Sequence, residues 1–518
     1  MKAWWREGVL YQIYPRSFAD SDGDGVGDLR GIVSQLDYLE WLGVDGIWLN
    51  PVHPSPNADW GYDVADYLDV HPALGSLRDL DELVAAAGAR GIRVLLDLVP
   101  NHTSDRHPWF QDSRSSRDSG RRGWYVWADP RADGSSPNNW VSSFGGPAWT
   151  FDEHTGQYYL HNFFPQQPDL NWWNDDVRQA FQEILRLWFE RGVAGFRIDV
   201  ANALVKDRDL RDNPAVAPGN PWGRRLGQQP VYNMNRPEVH DIYRGWRDLA
   251  DGYEPPRVYV GEAWVYDIAR WAAFYGSGDD EFHLVFNFRL VTAAFEAATL
   301  RAVVEETEQA LPPGAWPALT ASNHDIVRFP TRWCDGDPDR VRCALTALLT
   351  LRGTPFLYYG DELGLRQARI PDAQALDAAG RDGARTPMPW ASGPEAGFTA
   401  PGVAPWLPMG DTTLNVADQR EDPGSTLSFC RELMALRRRR DELRTGAYTS
   451  LPAPQGIWAW RRGQTTVVAV NLSDRELKAD GVEGQVLIGT TRHRDGERVR
   501  GPLRLAPWEG VVLDSSRR

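Results

Sequence analysis

Three segments of the chain repeat one order of elements, and that order narrows the possible folds more than any other feature. Each is an amphipathic helical stretch, then a glycine, then an apolar run ending in polar residues: YLEWLGVDGIWLNP, ELVAAAGARGIRVLLDLVPNH and ILRLWFERGVAGFRIDV. In the second, Ser76 is placed to cap the helix with Asp79 in its first turn. Leu80, Leu83, Val84 and Ala87 form its apolar stripe, and Gly91 ends it. Helices alternating with short, continuously apolar strands imply a parallel sheet buried on both faces. Further strand candidates are VLYQIYP near residue 9, RVYVGEAW near 257, HLVFNF near 283, ALTASNHD near 318 and PFLYYGDE near 355, which makes eight. Eight strands over about 400 residues fit a (β/α)₈ TIM barrel with large insertions better than an open sheet.

Two regions depart from this order. From Thr103 to about Pro168 the chain is rich in Trp, Tyr, Ser, Gly and Asp and contains DSRSSRDSGRR. Structureless loops of that length are uncommon in compact domains, so a small inserted domain after the third strand is expected. After Arg444 the pattern changes to short alternating strands, GIWAWRR, TTVVAVNL, GQVLIG and LRLAPWEGVVLD, which predict a C-terminal antiparallel β-sandwich. The division is therefore 1–103 and 170–444 for the two parts of the barrel, 104–169 for the insertion and 445–518 for the β domain. Residues 370–412, rich in Pro and Gly without periodicity, suit a functional loop over the barrel mouth.

Composition mainly excludes. A formal net charge of −15 over 518 residues argues against nucleic acid or an anionic membrane as partner. The basic run Arg437 to Arg440 follows Phe429, Leu433 and Leu436 and reads as the solvated C-terminal end of an amphipathic helix. Cys334, Cys343 and Cys430 form neither a metal-ligand spacing nor a disulfide framework. The opening MKAWWREGVLYQIYP has no apolar leader core, and no stretch approaches membrane-spanning length. A reduced, cytoplasmic protein is expected, with the sequons at Asn101 and Asn471 unmodified. The 24 tryptophans stand out, since flat aromatic faces suit sugar rings as well as cores.

In a barrel of this kind chemistry collects at the C-terminal strand ends, and the polar residues stand there: Asp97 to His102, Arg197 with Asp199, Glu262, and His324 with Asp325. In GFRIDVAN, Arg197 and Asp199 are two residues apart and share a face of the strand. That fragment alone leaves two readings open, a structural ion pair or a carboxylate kept ionised to react. Asp199, Glu262 and Asp325 end three different predicted strands. Convergent carboxylates among aromatics point to glycoside chemistry, in which one attacks the anomeric carbon and a protonated one protonates the leaving oxygen.

The blocks DLVPNH (97–102), GFRIDVAN (195–202), GEAW (261–264) and SNHD (322–325) resemble, in order and spacing, those of glycoside hydrolase family 13, the α-amylase family. QPDLNW (167–172) and GTPFLYYGDELG (353–364) resemble its oligo-1,6-glucosidase and α-glucosidase branch, and the resemblance runs from Val9 to beyond Trp390. It implies Asp199 as nucleophile, Glu262 as general acid/base and Asp325 as transition-state stabiliser. Arg197 would then lower the pKa of Asp199, while Asp325 and partial burial would raise that of Glu262. The two carboxyls are expected roughly 5–5.5 Å apart, the retaining spacing. GYDVAD (61–66) resembles the family's glucose-binding loop. By that resemblance Asp63 grips the terminal glucose, Tyr62 stacks beneath it, and His102 and His324 hydrogen-bond it. Arg385 in ARTPMPW would pair with Asp63 and close the pocket, and Phe144 and Phe163 are candidate pocket aromatics.

The loop DSDGDGVGD (20–28) has near EF-hand spacing, but Gly31 stands where a full EF-hand has its bidentate glutamate. The resemblance implies a structural calcium held by the side chains of Asp20, Asp22, Asp24 and Asp28 and the carbonyl of Val26, with no organic cofactor. The expected function is a retaining exo-acting α-glucosidase on short maltose- or isomaltose-type α-glucosides. A transglucosidase or sugar isomerase on the same scaffold is the alternative, and a non-catalytic sugar- or partner-binding relative stands further off because all three acids are present. Val200 after the nucleophile resembles the α-1,6 branch, whereas the following AN and the insertion LVKDRDLRD depart from it, and the reading leans to maltose-type substrates. The sequence leaves the oligomeric state open.

Overall fold

The computed structural model describes residues 3–216 and 221–516. Its centre is a sheet of eight parallel strands: β1 (Leu10–Ile13), β2 (Gly46–Leu49), β3 (Arg93–Leu98), β4 (Gly195–Ile198), β5 (Val258–Gly261), β6 (Leu284–Val285), β7 (Ala318–Thr320) and β8 (Thr354–Tyr358). β8 pairs back onto β1 with Leu10 opposite Phe356, and a parallel bridge between Phe286 and Ala318 joins the remaining edges. The sheet is therefore closed into a (β/α)₈ barrel, at the eight places read from the sequence. The strands are apolar on both faces because both are covered. Leu10, Trp48, Leu95, Val260, Leu284 and Phe356 fill the interior, while Tyr11, Ile47 and Leu96 pack outward. Two residues further along the interior face come Gln12, Asn50, Asp97 and Glu262, so the polar floor of the mouth continues the pleat of the core.

The helix Leu77–Ala89 opens with a reciprocal capping box of Ser76 and Asp79, buries Leu80, Leu83 and Ala87, and is followed by Gly91 at φ +76°. Between β3 and β4 the chain forms the helix Pro108–Ser115 and a small antiparallel sheet of Trp127–Ala128, Gln157–Leu160 and Trp149–Asp152. After Thr445 comes a six-stranded antiparallel sheet in the order Tyr448–Leu451, Ile457–Arg462, Thr466–Asn471, Gly510–Asp514, Gly484–Gly489 and Arg498–Val499. A two-stranded ribbon, Leu477–Ala479 with Leu503–Leu505, shares its core of Ile457, Val467, Val486, Leu503 and Leu505. Trp458, Trp460 and Val468, on the sheet's other face, join the core around the barrel.

One expectation is overturned here. The helix Thr426–Arg439 buries Arg437 instead of presenting it to water, because that residue falls one turn after Leu433 on the apolar stripe. Its guanidinium donates to the carbonyls of Leu349 (2.9 Å) and Gly353 (2.7 Å), at and beyond the C-terminal end of the helix Pro338–Thr350. Arg438 and Arg439 are exposed. Asn101 and Asn471 are fully buried and hydrogen-bonded, the first accepting from Lys206 Nζ and the second donating to the carbonyls of Arg475, Leu505 and Ala506. The three cysteines are buried and free. No described helix is long and apolar enough to cross a membrane.

Candidate active site

A cavity of about 390 Å³ at the C-terminal strand ends is lined by Asp199, Glu262 and Asp325, together with Tyr62, His102, Phe144 and Phe163. Arg197, fully buried on β4, is its hub. One terminal nitrogen, Nη1, lies 2.8 Å from Asp97 and 2.6 Å from Asp199, and Nη2 lies 2.6 Å from Glu262. The ion pair read from GFRIDVAN is thus one arm of a three-carboxylate cluster around a single cation. That changes the electrostatics expected of it. Burial pushes Asp199 well above the usual carboxylate range; Arg197 pulls the other way, and Glu262 and Asp97 add to the rise. The expected lowering by Arg197 does not prevail, because its one charge is divided among three desolvated acids. Burial likewise pushes Asp97 up to about 7 against the pull of Arg197. Asp199 and Glu262 sit on the two terminal nitrogens of one guanidinium, each at 2.6 Å, which makes the two carboxyls neighbours.

Asp325 has the opposite balance. Burial works to raise its pKa, but His324, Arg381 and Arg385 outweigh it and hold the group well below the usual range. His324 is fully buried; its Nδ1 faces the amide nitrogen of Gln12 at 2.9 Å, which can only donate. Nδ1 therefore accepts, and Nε2 carries the proton toward Asp325 (3.1 Å) and the Tyr62 hydroxyl (2.6 Å). Burial lowers the pKa of His324 against the pull of Asp325. The Tyr62 ring stacks on it at 5.2 Å and 5°, and its hydroxyl donates to Asp97 at 2.9 Å. His102 Nε2 meets the Tyr62 carbonyl at 3.0 Å, and the rings of Phe144 and Phe163 meet edge to face at 5.7 Å.

Two predicted binding residues are displaced by their neighbours. Asp63 does not line the cavity. It is fully buried and accepts from the Ser55 hydroxyl (2.7 Å) and from the N–H groups of Ala58 (2.8 Å) and Asp59 (2.9 Å), tying its own loop together. Arg385 pairs with Asp325 at 3.0 Å and donates to the His324 carbonyl, so the expected Arg385–Asp63 pair is absent. The ion pair in the cavity wall is Arg381 with Asp59, and Arg381 also holds Asp377 (2.6 Å) and Asp325 (3.1 Å). Trp60 and Gly61, at φ +49° and +108°, turn the chain between the two aspartates, so that one faces the cavity and the other folds back. Asp59 and Arg381 stand just ahead of GYDVAD and ARTPMPW, each four positions before the residue that the resemblance implied.

Two further contacts to Glu262 were not read from the sequence. Val200 takes φ +43°, rare for a β-branched residue, and its N–H donates to Glu262 Oε2 at 3.1 Å. The Trp264 indole donates to Oε1 at 3.0 Å. In the Asp-rich loop, carboxylate oxygens of Asp20, Asp22 and Asp28 lie within 4.8 Å of one another. Asp24 stands outside that group and accepts from the Val26 N–H at 2.7 Å.

A closed barrel whose mouth gathers three carboxylates in a sugar-sized cavity defines the catalytic centre of a glycoside hydrolase. The family described as Alpha amylase, catalytic domain, matches residues 12–446. A probable α-glucosidase of Rhizobium meliloti (strain 1021) is 43% identical over 472 residues, 86% of this chain and 84% of that protein. An oligo-1,6-glucosidase of Parageobacillus thermoglucosidasius is 35% identical over 565 residues, 99% of each. The solved structure of an α-glucosyl transfer enzyme, XgtA, matches with a TM-score of 0.92 at 39% identity over 100% of both chains. The chain belongs to the α-amylase family, glycoside hydrolase family 13, in its α-glucosidase and oligo-1,6-glucosidase branch.

Proposed function

We propose that the protein is a retaining exo-acting α-glucosidase that releases terminal glucose from short maltose- or isomaltose-type saccharides. The observation that carries this reading is the seating of Asp199 and Glu262 on the two terminal nitrogens of Arg197, in a cavity that also holds the Arg381–Asp59 pair. Carboxyls held 2.6 Å from the two terminal nitrogens of one guanidinium suit the short spacing of retaining enzymes rather than the wider inverting one, which must admit a water between them.

The buried pair carries one proton into the reaction. With it on Glu262, ionised Asp199 attacks the anomeric carbon, the glycosidic bond breaks, and Glu262 gives its proton to the leaving oxygen. A glucosyl–Asp199 ester results. Glu262, now a base, takes a proton from water, whose oxygen displaces Asp199 and leaves α-glucose. Asp325, held anionic by His324, Arg381 and Arg385, offsets the positive charge that develops on the sugar. Asp59 and Arg381 present a charged pair to the sugar hydroxyls, and Phe144 and Phe163 an apolar wall.

Because XgtA is an α-glucosyl transfer enzyme, a second reading keeps the same intermediate and replaces water by a sugar or alcohol acceptor. A structural calcium belongs to the proposal too: the oxygen-only donor set of Asp20, Asp22 and Asp28 suits a hard cation. Asp199→Asn is expected to lower kcat on an aryl α-glucoside by at least about 10³-fold, while proton NMR of the wild-type reaction shows α-glucose first. Unchanged turnover by that variant, or β-glucose as first product, would sink the mechanism.

A further inference from the structure

The groups around Glu262 are distributed unevenly. Oε2 forms the ion pair with Arg197 Nη2 at 2.6 Å and accepts the Val200 N–H at 3.1 Å. Oε1 takes the Trp264 indole N–H at 3.0 Å, and among the described residues no second fixed donor reaches it. Oε2 lies against the guanidinium cation, which disfavours a proton there, while Oε1 keeps a lone pair for one. The indole is not free to swing. Its ring lies flat on Phe288, with centroids 3.8 Å apart and planes 7° apart, and Phe288 is itself buried at the start of the helix Phe288–Thr292, capped by Asn287. Trp264 lines the cavity together with Glu262.

We infer that Trp264 is a positioning residue for the proton donor: its indole N–H, braced by Phe288, fixes Glu262 so that the acidic proton is carried on Oε1. This rests on Glu262 being the general acid/base. An N–H donor binds a carboxylate more strongly than a carboxylic acid, so this contact also favours release of the proton.

The test is Trp264→Phe, which keeps a ring to stack on Phe288 and removes the N–H. The alkaline limb of kcat/KM, which reports the acid in the free enzyme, is expected to move up by about one pH unit. Turnover of maltose, whose leaving oxygen needs the proton, is expected to fall roughly tenfold or more. Glucosylation by a dinitrophenyl α-glucoside, whose leaving group needs none, should be little changed. Phe288→Leu keeps the indole and removes its brace; the same limb should move in the same direction by less. An unmoved limb in Trp264→Phe, or equal losses on both substrates, overturns the inference. Glu262→Gln separates the two claims: if it turns over maltose normally, the role given to Glu262 itself is wrong, whereas an inactive Glu262→Gln with an unmoved limb in Trp264→Phe removes only the role of Trp264.

Discussion

Asp59 and Asp63, four positions apart in one loop, differ in that the first lines the cavity and the second does not. Asp59 faces the cavity on Arg381, and Asp63 satisfies a hydroxyl and two N–H groups beneath it. Asp59→Ala is therefore expected to raise KM for maltose by at least about tenfold with a modest change in stability. Asp63→Ala should leave KM near wild type and cost about 1–3 kcal/mol of stability for the orphaned donors. Steady-state kinetics and urea unfolding of both variants decide it, and a raised KM in Asp63→Ala alone would return the binding role to Asp63. The three acids of the cavity are legible because each ends an apolar strand, and Arg197 with Asp199 because the strand period is two. Which aspartate lines the cavity is not, since that depends on the positive φ of Trp60 and Gly61.

Elements show the same division. The helix Leu77–Ala89 is readable to its cap, while the burial of Arg437 is not, because the apolar stripe of its helix runs through a basic run. The inserted segment supplies a test of pH dependence. His107 caps the helix Pro108–Ser115, its Nδ1 accepting the Trp109 N–H at 3.1 Å, and burial pushes its pKa down to about 3. Its unfolded value is about 6.5, so below that pH the unfolded chain takes a proton that the folded one refuses. The stability present at pH 6.5 and above is then lost as pH falls toward 3, by about 1.4 kcal/mol per unit from this group. His107→Asn keeps a capping acceptor and should flatten this dependence. Urea midpoints at pH 7 and pH 5 measure it, and equal pH dependence in both proteins would refute the assignment.

At the scale of the whole molecule, the Asp-rich loop links distant parts of the chain. The Asp20 N–H donates to the Phe398 carbonyl at 2.9 Å, and Trp406 N–H to that of Gly25 at 2.8 Å. These contacts tie the first β–α connection to the long irregular segment that supplies Arg381 and Arg385. If Asp20, Asp22 and Asp28 hold calcium, chelation should lower the melting temperature by several degrees, restored by calcium, while initial rates at 25 °C stay the same. A melting temperature indifferent to chelator would remove the metal. By itself the sequence determined the eight strands, their order, the β-rich end and the three acids, because strand period, helix stripe and chain order are local properties. Only the tertiary structure decided which arginine meets which aspartate, how Arg197 shares its charge, and that Arg437 is buried. Arg381 and Asp59 are 322 residues apart, and such pairs exist only once barrel closure has brought both ends of the chain to one mouth.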